Sequence, residues 1–547
     1  MGTPNRRLQE VGLVEQKIAV NRSSIESERQ AVQLAIDASK SASERNRLGQ
    51  FATPHALAVQ IARCIDILMG TPRPPIHFAD PSIGSGSFFS AALAVYGATR
   101  IQSALGVEIE PGLANAARKL WGSARLQVID GDFTRVIAED NRPPAPNLIL
   151  ANPPYVRHHH LAPEEKLRLR ELTRRLTGFD INGLAGLYVY FLMLATAWMQ
   201  DGGYAAWLVP SEFMDVNYGA ALKHFLADRV TLIRVHRFDP MDMQFGDAFV
   251  SSVVLFFRKA PPPPHHAAEF TFGGTLEQPV AAERVPLGRL SDTRKWTRFP
   301  SHPTNDRLLP TADGPRLRDL FDIRRGIATG SNDFFVLDRT DAISRGLPRE
   351  HLRPILPSPR HLRLSVISAD DDGYPALTPQ WCIIDCDLPE ALIELHHPAL
   401  WEYLRTAETR GIRNRYLLRK RSPWYKQERR DPCPFLCTYM GRGAGDERPF
   451  RFVLNYSKAI ATNLYLMLYP KRGLAQMLKL HPHRAAEVHG LLGRITGHEL
   501  RGEGRVYGGG LHKIEPGELG RVSATEFYTH WPELKCWGST ATIKSLF

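Results

Sequence analysis

Between about residues 50 and 258 the chain alternates short, almost wholly apolar runs with stretches of helical periodicity. The runs are IHFAD (76–80), ALGVEI (104–109), LQVID (126–130), NLILAN (147–152), YAAWLVP (204–210), TLIRVHRF (231–238) and VSSVVLFF (250–257). Strands covered on both faces lose the in–out alternation of a half-exposed sheet, and parallel neighbours need helical crossovers. The pattern therefore predicts an α/β domain, a parallel sheet with helices on both faces. Residues 181–200 carry no charge, but Asn182, Thr196 and Gln200 dilute them and a turn and buried strand follow at once. This reads as a core helix, not a membrane span. Residues 1–48 alternate apolar and charged positions at helical spacing and predict an N-terminal extension of one or two amphipathic helices. The PPPPHH stretch at 261–266 closes the first domain as a stiff spacer, and 261–310 read as a connecting segment. From 311 to 547 a separate α+β region is expected, richer in Pro, Arg and aromatic residues.

A length of 547 residues suits several such domains, and 43% hydrophobic with 23% charged residues is the balance of a globular chain. Lys and Arg number 69 against 57 acids, a formal charge of +12, which biases the chain toward a polyanionic partner. The start, MGTPNRRLQEVGLVEQ, has early arginines without an apolar run behind them, so no secretory leader is expected. Six scattered cysteines fit a reducing, cytoplasmic compartment better than a disulfide framework. The pairs Cys382/Cys386 and Cys433/Cys437 read as buried thiols, not as a zinc site, and His158, His159 and His160 read as a loop near nucleic acid; no metal is expected.

The first strand ends in Asp80 and runs into DPSIGSGSFF, where Gly84 and Gly86 allow a tight turn and close approach of backbone to a ligand before a helix begins. Alone, such a turn also suits phosphate sites and plain connections. Two acids change that. Glu108 closes the second strand, where a carboxylate can accept both hydroxyls of a ribose, and Asp132 follows the third strand with Phe133 offering an aromatic face. Together they describe an adenosine cradle. No G-x-G-x-x-G or P-loop sequence points to a dinucleotide or triphosphate instead.

After the fourth strand comes LILANPPYVR. Consecutive prolines lack N–H donors and hold a loop extended, so the Pro153 carbonyl projects outward. With the side-chain oxygen of Asn152 it forms two acceptors on one edge, suited to an NH2 group whose lone pair must be made available. Tyr155 can stack on the planar system bearing that amine.

These residues resemble those of S-adenosylmethionine-dependent amino methyltransferases, specifically the gamma-group N6-adenine DNA methyltransferases of bacterial restriction–modification systems. GQFATP (49–54) looks like the family segment around the methionine end of the cofactor and precedes the glycine turn as in the gamma group. The resemblance implies a Rossmann-like, seven-stranded methyltransferase sheet and a separate target-recognition region. It also implies S-adenosyl-L-methionine as cofactor, held around Thr53, Asp80, Ser82, Gly84, Gly86, Glu108, Ile109, Asp132 and Phe133, with Pro154 beside its adenine or sulfonium region. Asn152, Pro153, Pro154 and Tyr155 become the catalytic tetrapeptide. LVPSEFM (208–214) and MQFGDAFVSSVVLFF resemble the family's later strand segments, and Phe245, or Phe249 if the loop alignment slips, is the aromatic expected against a flipped base.

In the carboxy-terminal half IRRGIATGSNDFFVL (323–337) resembles the opening of target-recognition regions, bringing in Arg324 and Arg325. From 410 to 430 there are nine Lys/Arg against the single acid Glu428, interleaved with Tyr416, Trp424 and Tyr425. Basic side chains suit phosphates and aromatics suit bases or sugars, so Arg419, Lys420, Arg421 and Trp424 are expected at DNA.

The chain thus reads as a site-specific methyltransferase acting on adenine N6 in double-stranded DNA by base flipping. It would be the modification enzyme of a restriction–modification system, with any cognate restriction endonuclease a separate protein and no membrane partner. The alternatives are another amino or amide nitrogen (an RNA base, cytosine N4 or protein glutamine) and a DNA-specificity protein with a vestigial catalytic half.

Overall fold

The computed structural model describes residues 24–138, 143–242, 244, 251–301, 314–443 and 448–535. The chain divides into two compact units, Met1–Asp306 with Tyr507–Gly509, and Arg307–Val506 with Gly510–Phe547. Among the described residues no helix is long and apolar enough to cross a membrane.

The first unit is built on one sheet of β1 (Ile76–Asp80), β2 (Ile101–Glu108), β3 (Leu126–Asp130), β4 (Leu148–Ala151), β5 (Tyr204–Pro210), β6 (Thr231–Arg237), β7 (Ser252–Arg258), β8 (Ala267–Gly274) and β9 (Pro279–Pro286). Their order is β3-β2-β1-β4-β5-β7-β6-β8-β9. Strands β1 to β5 pair in parallel, and β7 runs antiparallel between β5 and β6. All seven expected strands are present. The segment expected to connect two domains instead adds β8, parallel to β6, and β9, antiparallel to β8. The proline run acts only as a turn, because the alternating residues after it find an open sheet edge. β2 starts earlier than expected, at Ile101, since Ile101 and the exposed Ser103 pair with β1, with Gln102 bulged between them.

Around this sheet lie α1 (24–38), α2 (Ala42–Leu48), α3 (His55–Met69), α4 (Ser87–Tyr96), α5 (Pro111–Trp121), α6 (Phe133–Val136), α7 (Pro163–Thr177) and α8 (Leu187–Trp198). One face of the sheet is covered by a core containing Phe78, Phe89, Ile61 and Trp121, the other by one containing Trp207, Tyr190, Phe191 and Phe225. The uncharged helix α8 is buried along nearly its whole length, as a helix between sheet and outer layer must be. The strand order reverses beside β1, which pairs in parallel with both β2 and β4. In open α/β sheets that reversal opens a crevice at the carboxyl ends of the strands. Asp80 and Asn152 both stand there.

The second unit holds a five-stranded sheet ordered Phe321–Arg325, Tyr465–Pro470, Phe435–Thr438, Phe452–Asn455 and Val366–Ile367, and a smaller one of Val336–Asp338, Trp381–Ile384 and Leu352–Pro354. It is α+β, as expected. Cys382, Cys386, Cys433 and Cys437 are buried in it as free thiols.

Candidate functional site

The turn after β1 is closed by its own strand-end acid: Asp80 accepts the Ser82 N–H at 3.0 Å. Gly84 and Gly86 have φ of 56° and 95°, the left-handed region that a side chain strains. A Cβ on Gly86 would lie 2.3 Å from Nε1 of Trp121, whereas one on Gly84 would meet open space. The turn is therefore pinned from behind at Gly86 and open at Gly84, where a ligand can approach. Glu108 receives the Gly84 N–H at 2.9 Å and the Glu110 N–H at 2.9 Å, so β2 sets the position of the turn.

Asp80 is 2% and Glu108 7% exposed, and neither pairs with a cation among the described residues. Burial, with the Glu108 charge nearby, pushes the Asp80 carboxyl up to about 8. Burial likewise raises that of Glu108. Two desolvated acids without a counter-ion suit a ligand that brings positive charge and hydroxyl donors. Ile109, 67% exposed, lies beside them as an apolar surface for a ring.

Asn152 follows β4 directly. Its Nδ2 donates to the Phe51 carbonyl at 2.8 Å and to Thr53 Oγ1 at 3.1 Å. Its backbone carbonyl accepts the Ser82 hydroxyl at 3.1 Å. With the amide so oriented, Oδ1 is buried and accepts no hydrogen bond. The Pro153 carbonyl accepts none among the described residues either. The segment 49–54 is latched here from both sides. Gly49 accepts the Tyr155 N–H at 3.1 Å, and the Thr53 carbonyl accepts the Ser87 hydroxyl at 2.8 Å. Gly49 must be glycine: its φ is 66° and a Cβ would sit 2.4 Å from the Tyr155 nitrogen. Tyr155 is held at both ends, its hydroxyl donating to the Leu208 carbonyl at 3.1 Å and its ring 5.6 Å from that of Phe51.

One expectation changes. Phe133 is 1% exposed, its ring packed against Phe191 at 5.3 Å and Trp198 at 5.9 Å, so it belongs to the core and presents no face to a ligand. Its neighbour Asp132 caps the short helix through the Thr134 N–H at 2.8 Å and keeps its other oxygen 3.6 and 3.7 Å from Arg135 and Arg168. The expected base-stacking residues Phe245 and Phe249 lie outside the described residues.

In the second unit the basic run separates into two kinds of residue. Arg421 is half-buried and donates to the carbonyls of Ala328 at 2.6 Å and Thr329 at 3.2 Å. Trp424 is 7% exposed, packed with Phe334, Phe335 and Tyr425. Both hold the fold and offer DNA little, because a long run cannot be solvated on every side. Arg419 and Lys420 are exposed, with no acid partner among the described residues, and Lys420 stacks on the exposed Tyr416. Arg410, over the Phe334 ring, and Arg415, donating to the Gly330 carbonyl, are exposed too and have no acid partner among the described residues. Arg324 is paired with Asp322 at 2.6 Å, and Arg325 lies over the Tyr439 ring at 4.3 Å. A cleft lined by Arg363, Arg448, Arg451 and His489 adds basic groups that sequence spacing did not single out, because they come from three separate segments.

A parallel sheet with a crevice at its switch point, a glycine turn and an acid on the next strand make the first unit an α/β methyltransferase fold. Two family models match the chain, the Eco57I restriction-modification methylase over residues 147–243 and the C-terminal domain of the Type II methyltransferase M.Eco57I over 293–534, together more than half of its length. Both matches are to restriction–modification methyltransferases, which this chain is similar to in each part. It is 27% identical over 491 residues to the Type II methyltransferase M.XamI of Xanthomonas campestris pv. amaranthicola, covering 87% of this chain and 85% of that one. To M.AccI of Acinetobacter calcoaceticus it is 22% identical over 502 residues, covering 89% and 87%. Among solved structures it resembles the type IIL restriction-modification enzyme MmeI in complex with DNA, with a TM-score of 0.47, 13% identity and coverage of 78% and 60%.

Proposed function

We propose that this protein methylates adenine N6 at a specific sequence in duplex DNA, using S-adenosylmethionine. The observation that carries the proposal is the buried, unpartnered Oδ1 of Asn152, fixed in direction by two hydrogen bonds from its own amide nitrogen. An unsatisfied buried acceptor costs stability, and it is satisfied when a donor arrives. An exocyclic NH2 supplies two: one N–H for Oδ1, one for the Pro153 carbonyl. Both acceptors draw on the same nitrogen and turn its lone pair toward the crevice. Tyr155 forms a wall beside the ring bearing the amine.

The residues of the crevice fit the cofactor. Glu108 would take the ribose hydroxyls, Asp80 and the Gly84 turn the charged methionine portion, and Ile109 the adenine, with Thr53 and Ser82 at the margin and Pro154 close by. When bound, S-adenosylmethionine supplies an electrophilic methyl group. The protein's part is to position and desolvate the amine, so no side chain need be a strong base, and the amine's proton leaves to water after transfer. A base inside a duplex cannot reach Asn152, so the target nucleotide must leave the stack. Arg419, Lys420 and the exposed Arg410 and Arg415 would hold phosphates. Cleavage, where it occurs, is left to a separate protein.

Purified protein incubated with methyl-labelled S-adenosylmethionine and unmethylated DNA tests the reading. After digestion to nucleosides, label in N6-methyl-2′-deoxyadenosine is expected; label in N4-methyl-2′-deoxycytidine, or none in DNA, overturns it.

A further inference from the structure

Helix α1 contributes side chains to the back of the glycine turn. Arg29 is 3% exposed and grips Glu26 with two hydrogen bonds, Nε to Oε2 at 2.9 Å and Nη2 to Oε1 at 2.7 Å. Its remaining Nη1 donates to the Ser85 hydroxyl at 2.9 Å. That hydroxyl donates in turn to Gln33 Oε1, one turn further along the helix, at 2.8 Å. Ser85 lies between Gly84 and Gly86, and two side chains of a distant helix fix it. Glu26 also receives the Ser90 hydroxyl from α4 at 2.6 Å, so the ion pair has hydrogen bonds on both sides.

A second connection reaches the other end of the same site. Lys40 pairs with Glu110 and donates to Gln50 at 2.9 Å, and Gln50 donates to Glu110 at 2.7 Å. Glu108 accepts the backbone N–H of Glu110 as well as that of Gly84. Glycines carry the most backbone entropy of any residue, so a turn holding two of them binds tightly only if something else orders it.

We propose that Arg29 is a positioning residue of the cofactor site: through Ser85 it holds the Gly84 amide on the Glu108 carboxylate, making the N-terminal helix part of the S-adenosylmethionine pocket. The inference rests on reading that crevice as the cofactor site. Arg29 touches neither cofactor nor substrate, so it acts on cofactor affinity and not on the transfer step.

The test uses the full chain and S-adenosylmethionine itself. Ser85→Ala removes the hydroxyl that Arg29 holds and leaves the buried ion pair whole. Glu26→Gln with Arg29→Met removes both charges, so no orphan charge remains to explain an effect. Both variants should bind the cofactor at least about fivefold more weakly by calorimetry, with kcat at saturating cofactor and DNA within about threefold of the parent. Leu226→Ala, a core variant remote from the turn with its own loss of Tm, should keep the parent's cofactor Kd. Unchanged affinity in the folded Ser85→Ala protein, while Glu108→Ala binds weakly, overturns the role of Arg29. Unchanged affinity in Glu108→Ala as well removes the cofactor reading and this inference with it.

Discussion

Replacing Asn152 by Ala separates chemistry from binding. The side chain does two things: its Oδ1 is a free buried acceptor, and its Nδ2 latches the 49–54 segment through Phe51 and Thr53. Losing one preorganised hydrogen-bonding group aimed at the reacting atoms costs on the order of 10²–10³ in kcat. Losing the latch removes two neutral hydrogen bonds, each worth about 0.5–1.5 kcal/mol. The segment stays closed, because Gly49 still receives the Tyr155 N–H and Thr53 the Ser87 hydroxyl. Cofactor Kd should therefore rise by no more than about tenfold, or 1.4 kcal/mol. Thr53→Val is the control: it loses one latch bond and keeps Oδ1, so kcat should fall by less than about fivefold. Single-turnover transfer of labelled methyl to saturating DNA gives the rate, and calorimetry gives the affinity. If Asn152→Ala kept kcat within about tenfold of the parent, or if Thr53→Val were equally damaging, the acceptor would not be what drives transfer.

Glu108→Ala should weaken S-adenosylmethionine binding by roughly 1.5–3 kcal/mol, because the ribose hydroxyls lose their acceptor and the Gly84 turn loosens; DNA binding without cofactor should stay nearly unchanged, and titration calorimetry checks both. Arg419→Ala with Lys420→Ala should weaken binding to all duplex sequences alike and flatten the plot of log K against log salt by about 0.9 for each phosphate no longer neutralised. An unchanged slope removes these residues from the interface. Arg421→Ala should instead lower Tm, since its guanidinium holds the carbonyls of Ala328 and Thr329. Asp80 is raised to about 8 in the fold. Unfolded it ionises near about 4, so it contributes stability below that pH, lost as pH rises toward 8. A cationic ligand prefers the ionised form, so cofactor affinity should climb between about pH 6 and 8, and Asp80→Asn should flatten that climb.

The strands of the first sheet were legible because their signals are local. A doubly covered strand must be apolar almost throughout, and β1 and β5 run as the residues predict. Asn-Pro-Pro-Tyr states its own backbone constraint. Less legible was whatever depends on which way a side chain turns. Nothing in a run of nine basic residues tells that Arg421 and Trp424 point inward while Arg419 and Lys420 point out. Phe133 follows a strand-end acid, yet the aromatic helix α8 claims its ring. β8 and β9 follow a proline run that looked like a spacer, and only the free edge of β6 makes strands of them. The role of Arg29 was invisible for another reason: its partner Ser85 is 56 residues away, and no spacing rule joins them.

Expression of the parent and of Asn152→Ala in a host without DNA methylation of its own, followed by sequencing of the host DNA with modified-base detection, reads the activity and its dependence on the acceptor together. The account predicts N6-methyladenine at one recurring sequence with the parent and none there with the variant. Methylation on another base, on no base, or undiminished in Asn152→Ala would contradict it.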